Sequence, residues 1–446
     1  MTQTANMQVA IIGAGPAGLF AAQALAVRGY NIAIFNRDIK PGGLAEYGIF
    51  LDKHKMKEGL RSQFRQILAL DNVNYFGNIT IGQYGCVGIS DLLGWGFSAV
   101  LVACGAQGTK TLNMPGENLK GVYHAKDLVF HYNRLPPYSL QAYPIGKKVA
   151  IVGAGNVMTD IAHYLIKHRN VAEITVIVRR GPAEVKFDKK ELLPIISYLD
   201  QADFNSEIER ISARMIAIGQ NPEDAKNHIL EALGKACPKE KDTRLFLRFL
   251  YSPKEVIGDS TDSVSSLKLE ENTLEIKEGV VVARGLENSI QMKVDNVIFA
   301  IGDRVTTDLG LPMKQNEIRK TEKPKYPVEG ESFEVGDSLT GEPVKGIFVA
   351  GWSRNASTGL VGIARKDGVS AASAIAEHLV SLDAITGVSL NDIQRRLSLS
   401  ACDIVTKENL KVLETEEKRQ AEIKGVEEYK FSTNEEMLQV IGITNE

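Results

Sequence analysis

The sequence predicts an α/β protein with two Rossmann-like nucleotide-binding domains and a helical C-terminal tail. Three observations predict it. Gln8 to Leu19, QVAIIGAGPAGL, runs from an apolar strand through Gly13, Gly15 and Gly18 into an alanine-rich helical pattern. Gly146 to Leu165, GKKVAIVGAGNVMTDIAHYL, repeats that architecture. Beyond about residue 380 the chain turns to charged helical stretches. In each glycine turn the first glycine lets the backbone reverse and the second lets a pyrophosphate approach the main chain. The third lets helix and strand pack closely. The following helix then offers unpaired N–H groups and aligned peptide dipoles to the phosphates. Two such units in one chain imply two dinucleotides.

The 446 residues are enough for about three domain-sized units. A net charge of -3 and a sequence pI near 6.2 give no overall drive toward nucleic acid or an anionic membrane, so neither is expected as a partner. Cys86, Cys104, Cys237 and Cys402 lie far apart without a CxxC pair, so dithiol, zinc-ribbon and iron–sulfur readings lack their ligand spacing, and no metal site is expected. The polar start MTQTANM passes straight into the first strand and is expected to leave no room for a signal peptide. No uninterrupted apolar stretch is long enough to span a bilayer. A reducing, cytoplasmic location is the expectation.

In chain order, the second strand, Asn31 to Phe35, is followed by Asn36, where a flavin- or NAD-binding unit usually carries an acid for the ribose hydroxyls. A carboxamide oxygen can still accept one hydroxyl. Pro41 to Ile49, PGGLAEYGI, has adjacent glycines where backbone could lie against a flat ring, or an ordinary turn. Lys55 to Leu70 reads as a helix, and Phe97 to Thr109, FSAVLVACGAQGT, as a buried strand closing a nucleotide site at its carboxyl end. Met114-Pro115-Gly116 and Pro136, Pro137 and Pro144 break the pattern before the second unit.

There, Met158 takes the third glycine's place and is expected to push the helix from its strand. The strand Ile174 to Val178 ends in Arg179-Arg180, where an NAD-binding unit would place an acid. Two guanidinium forks suit a 2′-phosphate, the alternative being a solvated basic turn. Residues 205 to 236 read as charged helix. Leu267 to Ala300 reads as short strands, closing with DNVIFAIG, Asp295 to Gly302, expected to return the chain to the first domain, which Glu334 to Gly351 completes. Ser432-x-x-Glu435 resembles a capping box in a tail that either docks or awaits a partner.

RRGPAEVKFDKKEL (Arg179 to Leu192), GGLAEYGI, GAGNVMTD and VAGWSRNASTGLVG (Val349 to Gly362) resemble the adrenodoxin-reductase-like ferredoxin-NADP reductases, near the flavin-containing small subunits of glutamate synthase. The resemblance covers about residues 7 to 380. It implies an FAD domain of residues 1–108 and 333–380, an inserted NADP domain of 109–332, and a helical extension of 381–446. It further implies that Gly13, Gly15, Gly18 and Asn36 meet the adenosine and pyrophosphate of FAD, with Gly43 and Leu44 near the rest of that nucleotide. Gly153, Gly155 and Asn156 would meet the pyrophosphate of NADP(H), and Arg179 and Arg180 its 2′-phosphate. Gly351, Trp352, Thr358, Gly359, Leu360 and Val361 would border the isoalloxazine and nicotinamide. The helical pattern from Leu360 onward could direct its N-terminal N–H groups at negative charge on a reduced flavin.

Departures from the family fall at the hydride site. Asp52-Lys53-His54 stands where the family often has Asp-His-Pro, and the acid three residues after Glu191 is Pro194. The implied catalytic residues are Lys53, Glu191 and Trp352, with Glu191 also at the nucleotide. Lys186 to Lys190 and Arg244 to Val256, with Arg248 matching, occupy the place of the family's acceptor-docking surface. The expected activity is transfer of a hydride from NADPH to FAD and of electrons on to a ferredoxin or another redox protein. The alternatives are an electron-input subunit serving a partner oxidoreductase subunit, or a flavin-binding scaffold with decayed catalysis.

Overall fold

The computed structural model describes residues 7–357, 359–382, 387–400 and 402–443. The opening apolar run forms β1 (Gln8–Ile12), and the glycine turn delivers the chain into α1 (Pro16–Ala26). Val9 to Ile12 are buried without alternation, as in a parallel strand covered on both faces. β2 (Asn31–Asn36) follows, then α2 (Leu44–Tyr47), α3 (His54–Leu68), β3 (Val73–Gly77), α4 (Ile89–Trp95) and β4 (Ala99–Val102). β1 lies between β2 and β4 in parallel, with Val9 opposite both Ile32 and Ala99. β3 pairs on the far side of β2.

The chain then builds β5 (Val122–His124), α5 (Ala125–Tyr132), β6 (Lys148–Val152), α6 (Asn156–Arg169), β7 (Glu173–Val178), α7 (Lys189–Leu192), α8 (Gln201–Ile216), α9 (Pro222–Leu230) and β8 (Arg244–Phe249). After β8 come β9 (Tyr251–Gly258), β10 (Val264–Lys277), β11 (Val280–Lys293) and β12 (Asn296–Phe299). The second parallel sheet has the order β5-β12-β6-β7-β8, and β9-β10-β11 form an antiparallel sheet beside it in sequence. Where short strands were expected, β10 and β11 are long strands joined at Glu278-Gly279. Both turn residues have positive φ, the backbone a two-residue hairpin requires. Most of β11 is exposed, which erases the alternation that would have marked its length. β12 does not return to the first domain. It lies between β5 and β6, with Val297 opposite Val122 and Ala150.

β13 (Glu334–Gly336) and β14 (Pro343–Val349) complete the first sheet, in the order β13-β14-β4-β1-β2-β3, with β14 parallel to β4 and β13 antiparallel to β14. α10 (Val361–Val380), α11 (Leu390–Leu399), α12 (Lys407–Lys424) and α13 (Asn434–Val440) follow. Contacts divide the chain into two compact units. One runs to Lys110, takes in Phe130–Leu140 and resumes at Gly302; the other comprises Thr111–Val129 and Gln141–Ile301. The expected inserted stretch of 109–332 is therefore too long at its far end. Gly108–Thr109 pairs with Asp303–Arg304, and Val305, Leu309 and Ile318 join the core under β1, β2 and β4. Two-residue strands carry too little periodicity to show this in sequence.

The C-terminal extension is docked on the first unit. Gly77 and Val405 exchange backbone hydrogen bonds of 2.7 and 3.1 Å, and Leu410, Leu413 and Met437 are buried in the same core as α1 and α10. The α13 cap is one residue later than expected: Thr433 Oγ1 accepts from Glu436 N at 3.0 Å, and Glu436 Oε2 accepts from Thr433 N at 3.3 Å.

Candidate nucleotide-binding sites

The two glycine turns are built to one plan. Gly13 and Gly153 have φ of +105° and +121°, and their N–H groups donate to Phe35 O and Ile177 O at 2.8 and 2.9 Å. A Cβ on Gly13 would stand 2.6 Å from Ala103 O, and one on Gly153 would stand 2.3 Å from Ala300 O, so both positions need glycine twice over. Ala103 and Ala300 follow β4 and β12, which makes DNVIFAIG the counterpart of FSAVLVACG, a repeat legible in hindsight from two apolar runs ending in alanine and glycine. The repeat extends one loop further. Ala14 O accepts from Gly42 N at 2.7 Å and Ala154 O from Lys186 N at 2.9 Å, so the loops before α2 and α7 are each hung on a glycine turn.

Gly15 and Gly155 cap α1 and α6. Nothing lies within 4 Å of a Cβ built on either, neither helix has an acid in its first turn, and no side chain caps either one. The first N–H groups therefore face open space with uncompensated partial positive charge, a donor set that fits a pyrophosphate. At Gly18 a Cβ would stand 2.0 Å from Gly13 O, so α1 approaches its strand as closely as backbone allows. Met158, in the equivalent place, is buried, and α6 cannot make that same approach.

In the first unit the expected residues converge. A Cβ on Gly43 would be 3.2 Å from Gly15 Cα, which brings the PGGLAEYGI loop against the phosphate turn, with Leu44 opening α2. A Cβ on Gly351 would be 2.8 Å from Ala17 Cβ, and one on Gly368 would be 2.2 Å from Ala17 O, so α10 lies directly on α1. Gly351 N donates to Asp367 Oδ2 at 2.6 Å, and Arg354, buried, grips the same carboxylate at 2.6 Å. Ser353 Oγ accepts from Gly105 N at 2.9 Å, tying the GWS turn to the end of β4. Asp367, Ser353 and Gly368 were not singled out from sequence, since only the three-dimensional pairing with Gly351, Gly105 and Ala17 reveals them. Trp352 is half-buried against the core beneath the sheet. Gly359 precedes Leu360, which caps α10 and is exposed; Val361 opens the helix, and the first turn carries no acid. Thr358 lies outside the described residues.

Two asparagines do something other than expected. Asn36 is buried at the end of β2, its Oδ1 accepting from Ala14 N at 2.9 Å. Its Nδ2 donates to Asp38 O, Lys40 O and Tyr75 Oη at 2.8, 3.1 and 3.2 Å. Its amide hydrogens are thus spent on the protein, and a carboxylate in its place would face two carbonyl oxygens. Asn156 likewise donates to Asp188 Oδ2 at 2.9 Å and accepts from Asp188 N at 2.7 Å, so its backbone N–H, not its side chain, remains for a phosphate.

The other expected residues separate by unit. Arg179 is exposed at the end of β7, and Arg180 is half-buried with a long 3.4 Å bond to Val281 O. Glu191 is half-buried on α7 in the second unit. Lys53 is half-buried at the start of α3 in the first, and its neighbour His54 faces the C-terminal extension, 3.2 Å from Glu427. Arg248 is clamped by Asp203 at 2.6 and 2.7 Å, Lys189 pairs with Glu231, and Tyr251 is buried beneath Arg210. Arg248 and Lys189, expected in the basic docking surface, are thus each paired with an acid within the second unit.

A buried charge cluster holds α2 and, through Lys40, the loop before it. Glu46 is met by Lys40, Arg61 and Lys430 at 3.3, 2.6 and 3.0 Å, and Lys430 also donates to Glu46 O at 2.9 Å. Burial alone would push the Glu46 carboxyl up, but the three cations hold it well below the usual carboxylate range. Glu428, half-buried beside Lys430, Arg61 and Lys57, is likewise brought down to about 2. Burial, with Lys430 nearby, lowers Lys57 to about 8.

Residues 7–192 match the pyridine nucleotide-disulphide oxidoreductase family. NADPH-ferredoxin reductase FprA of Mycobacterium leprae is 26% identical over 401 residues, covering 83% of this chain and 84% of that protein. The mitochondrial NADPH:adrenodoxin oxidoreductase of Arabidopsis thaliana is 26% identical over 394 residues, covering 80% and 78%. A solved structure of Mycobacterium tuberculosis FprA in complex with NADPH shares the fold, with a TM-score of 0.80 at 23% identity over 98% of this chain and 99% of that one. The glutamate synthase side of the resemblance gains no support from these relatives. The chain is similar in sequence to NADPH-ferredoxin and NADPH:adrenodoxin reductases and shares the fold of the FprA structure.

Proposed function

We propose that this protein is an FAD-dependent oxidoreductase that takes a hydride from NADPH and passes electrons to a ferredoxin-type or other redox protein. The observation that carries the reading is the duplicated glycine turn with an open, uncapped helix N-terminus in each unit, in a chain similar in sequence to reductases named for NADPH and ferredoxin. In this reading the first unit takes FAD and the second NADPH. FAD supplies the chemistry that links a two-electron donor to a one-electron acceptor. The protein's own contribution is placement: Gly13, Gly15 and Gly18 admit one pyrophosphate and Gly153 and Gly155 the other. Gly43 and Gly351, held by Gly15 and Asp367, keep backbone where side chains would obstruct the flavin. Trp352 borders the ring, Lys53 acts in the flavin unit and Glu191 at the nucleotide of the second, and the N–H groups at the start of α10 face the charge that reduction brings.

Arg179 and Arg180 make the nucleotide NADPH rather than NADH, by presenting guanidinium forks where an acid would repel a 2′-phosphate. The acceptor is a redox protein met away from Arg248, whose charge Asp203 already satisfies. The test is steady-state reduction of a ferredoxin-type acceptor with each nucleotide, in the unmodified chain and in Arg179→Ala/Arg180→Ala. Two partly exposed charge-assisted contacts are worth roughly 2–3 kcal/mol, so the double variant should lose about 30- to 150-fold in kcat/KM for NADPH and little for NADH. Equal efficiency with both nucleotides in the unmodified protein would contradict the assignment.

A further inference from the structure

Cys86 and Cys402, distant in sequence and both in the first unit, meet where the C-terminal extension reaches the end of β3. Beside the backbone exchange of Gly77 and Val405, Asn78 Nδ2 donates to Asp403 O at 3.1 Å, and the thiols of Cys86 and Cys402 lie within hydrogen-bonding reach of each other. The loop that carries Cys86 is closed on itself, with Gly82 N donating to Val87 O at 2.9 Å and Cys86 N to Thr80 O at 3.0 Å. Ile79, Ile81 and Val87 fix that loop in the core against which Cys402 also packs. The two thiols differ in setting. Cys86 is exposed and Cys402 half-buried, its Sγ donating to Ser400 O at 3.5 Å. Burial, and after it the neighbouring Cys86, pushes the Cys402 thiol up to about 12, so Cys402 keeps its proton at neutral pH.

We propose that Cys86 and Cys402 are a peroxide-sensitive thiol pair whose disulfide fastens the C-terminal extension to the first unit. The exposed Cys86 meets hydrogen peroxide first. Its sulfur attacks one peroxide oxygen, the O–O bond breaks, and the other oxygen leaves as water with the Cys86 proton, which makes Cys86 a sulfenic acid. The Cys402 sulfur then attacks the Cys86 sulfur, and the sulfenic hydroxyl leaves as a second water with the Cys402 proton. Each sulfur has lost one electron, and the peroxide has taken both. Cys104 instead faces the Ser353 hydroxyl at 3.5 Å, and Cys237 lies in the second unit. The place of the bond gives it a consequence. Cys402 comes shortly before Thr406, the cap of α12, and α12 carries Leu410 and Leu413 into the core and Glu417 to Lys40. A disulfide here holds the start of α12 whatever the charge on Glu46 or Glu428.

The experiment uses the full-length protein as purified, reduced, desalted and exposed to a slight excess of hydrogen peroxide. Remaining thiols are alkylated in denaturant, and the protein is digested without reductant for mass spectrometry. One pair of the four thiols should be lost, with a peptide pair joined through Cys86 and Cys402 that reductant separates. Cys86→Ser and Cys402→Ser should each abolish the joined peptides. On acidification, amide exchange at Leu410 to Leu413 should be at least about tenfold slower in the oxidised chain than in Cys402→Ser treated alike. Four alkylated thiols after treatment would overturn the proposal, as would an over-oxidised Cys86 beside a free Cys402, or Cys86 joined between two chains. A Cys86–Cys402 disulfide that leaves the exchange unchanged would overturn the fastening.

Discussion

Replacing Asn36 by Asp separates two accounts of one residue. As a ribose ligand, a carboxylate there would be the better acceptor and should tighten flavin binding. As the clamp observed, Asn36 donates to two carbonyls and a phenol, and Asp would leave those acceptors unmatched against a buried negative charge. We expect Asn36→Asp to lose about 1–3 kcal/mol of stability in urea unfolding, and more at high pH than near its own pKa. An equally stable variant with tighter flavin binding would restore the ribose role. The glycines were legible because a Cβ has nowhere to go at Gly13, Gly18 or Gly153, whatever else surrounds them. Asn36 and Asn156 were not, because an amide can serve a ligand or the backbone equally well, and its neighbours, distant in sequence, decide which.

At the scale of elements, the C-terminal extension is held by charges whose sign of pH dependence can be stated. Glu46 and Glu428 have folded pKa values below their unfolded ones, so their contribution is present above about pH 4.5 and is lost on acidification, for Glu428 as pH falls toward about 2. For Glu428 alone it is about 3 kcal/mol. Glu417, whose carboxyl burial pushes up despite Lys40, acts in the opposite direction and offsets part of this. His54, facing Glu427 and Glu428, and the cations Lys40, Lys57, Arg61 and Lys430 complete the cluster. On acidification, amide exchange at Leu410 to Leu413 should become fast before exchange in β1 does. Simultaneous loss of protection in both would contradict a separately titrating dock. The tail's helices were legible from their periodicity and charge, but docking was not, because Lys40, Glu46 and Lys430 come together only in the fold. The same limit misplaced β12: an apolar run ending in alanine and glycine reads as a strand without naming its sheet, and the pairing of Val297 with Val122 and Ala150 settles that.

For the molecule as a whole, the central claim is that one repeated architecture serves two nucleotides so that one reduces the other. Each unit contributes a glycine turn, an uncapped helix and a loop suspended from an alanine carbonyl. The direct measurement is anaerobic mixing of the FAD-loaded protein with NADPH in a stopped-flow spectrophotometer. The account predicts bleaching of the flavin absorbance by NADPH at a rate far above that with equimolar NADH, with one equivalent of NADPH per FAD because a hydride carries two electrons. A flavin that stays yellow with NADPH, in protein that has bound both nucleotides, would contradict it.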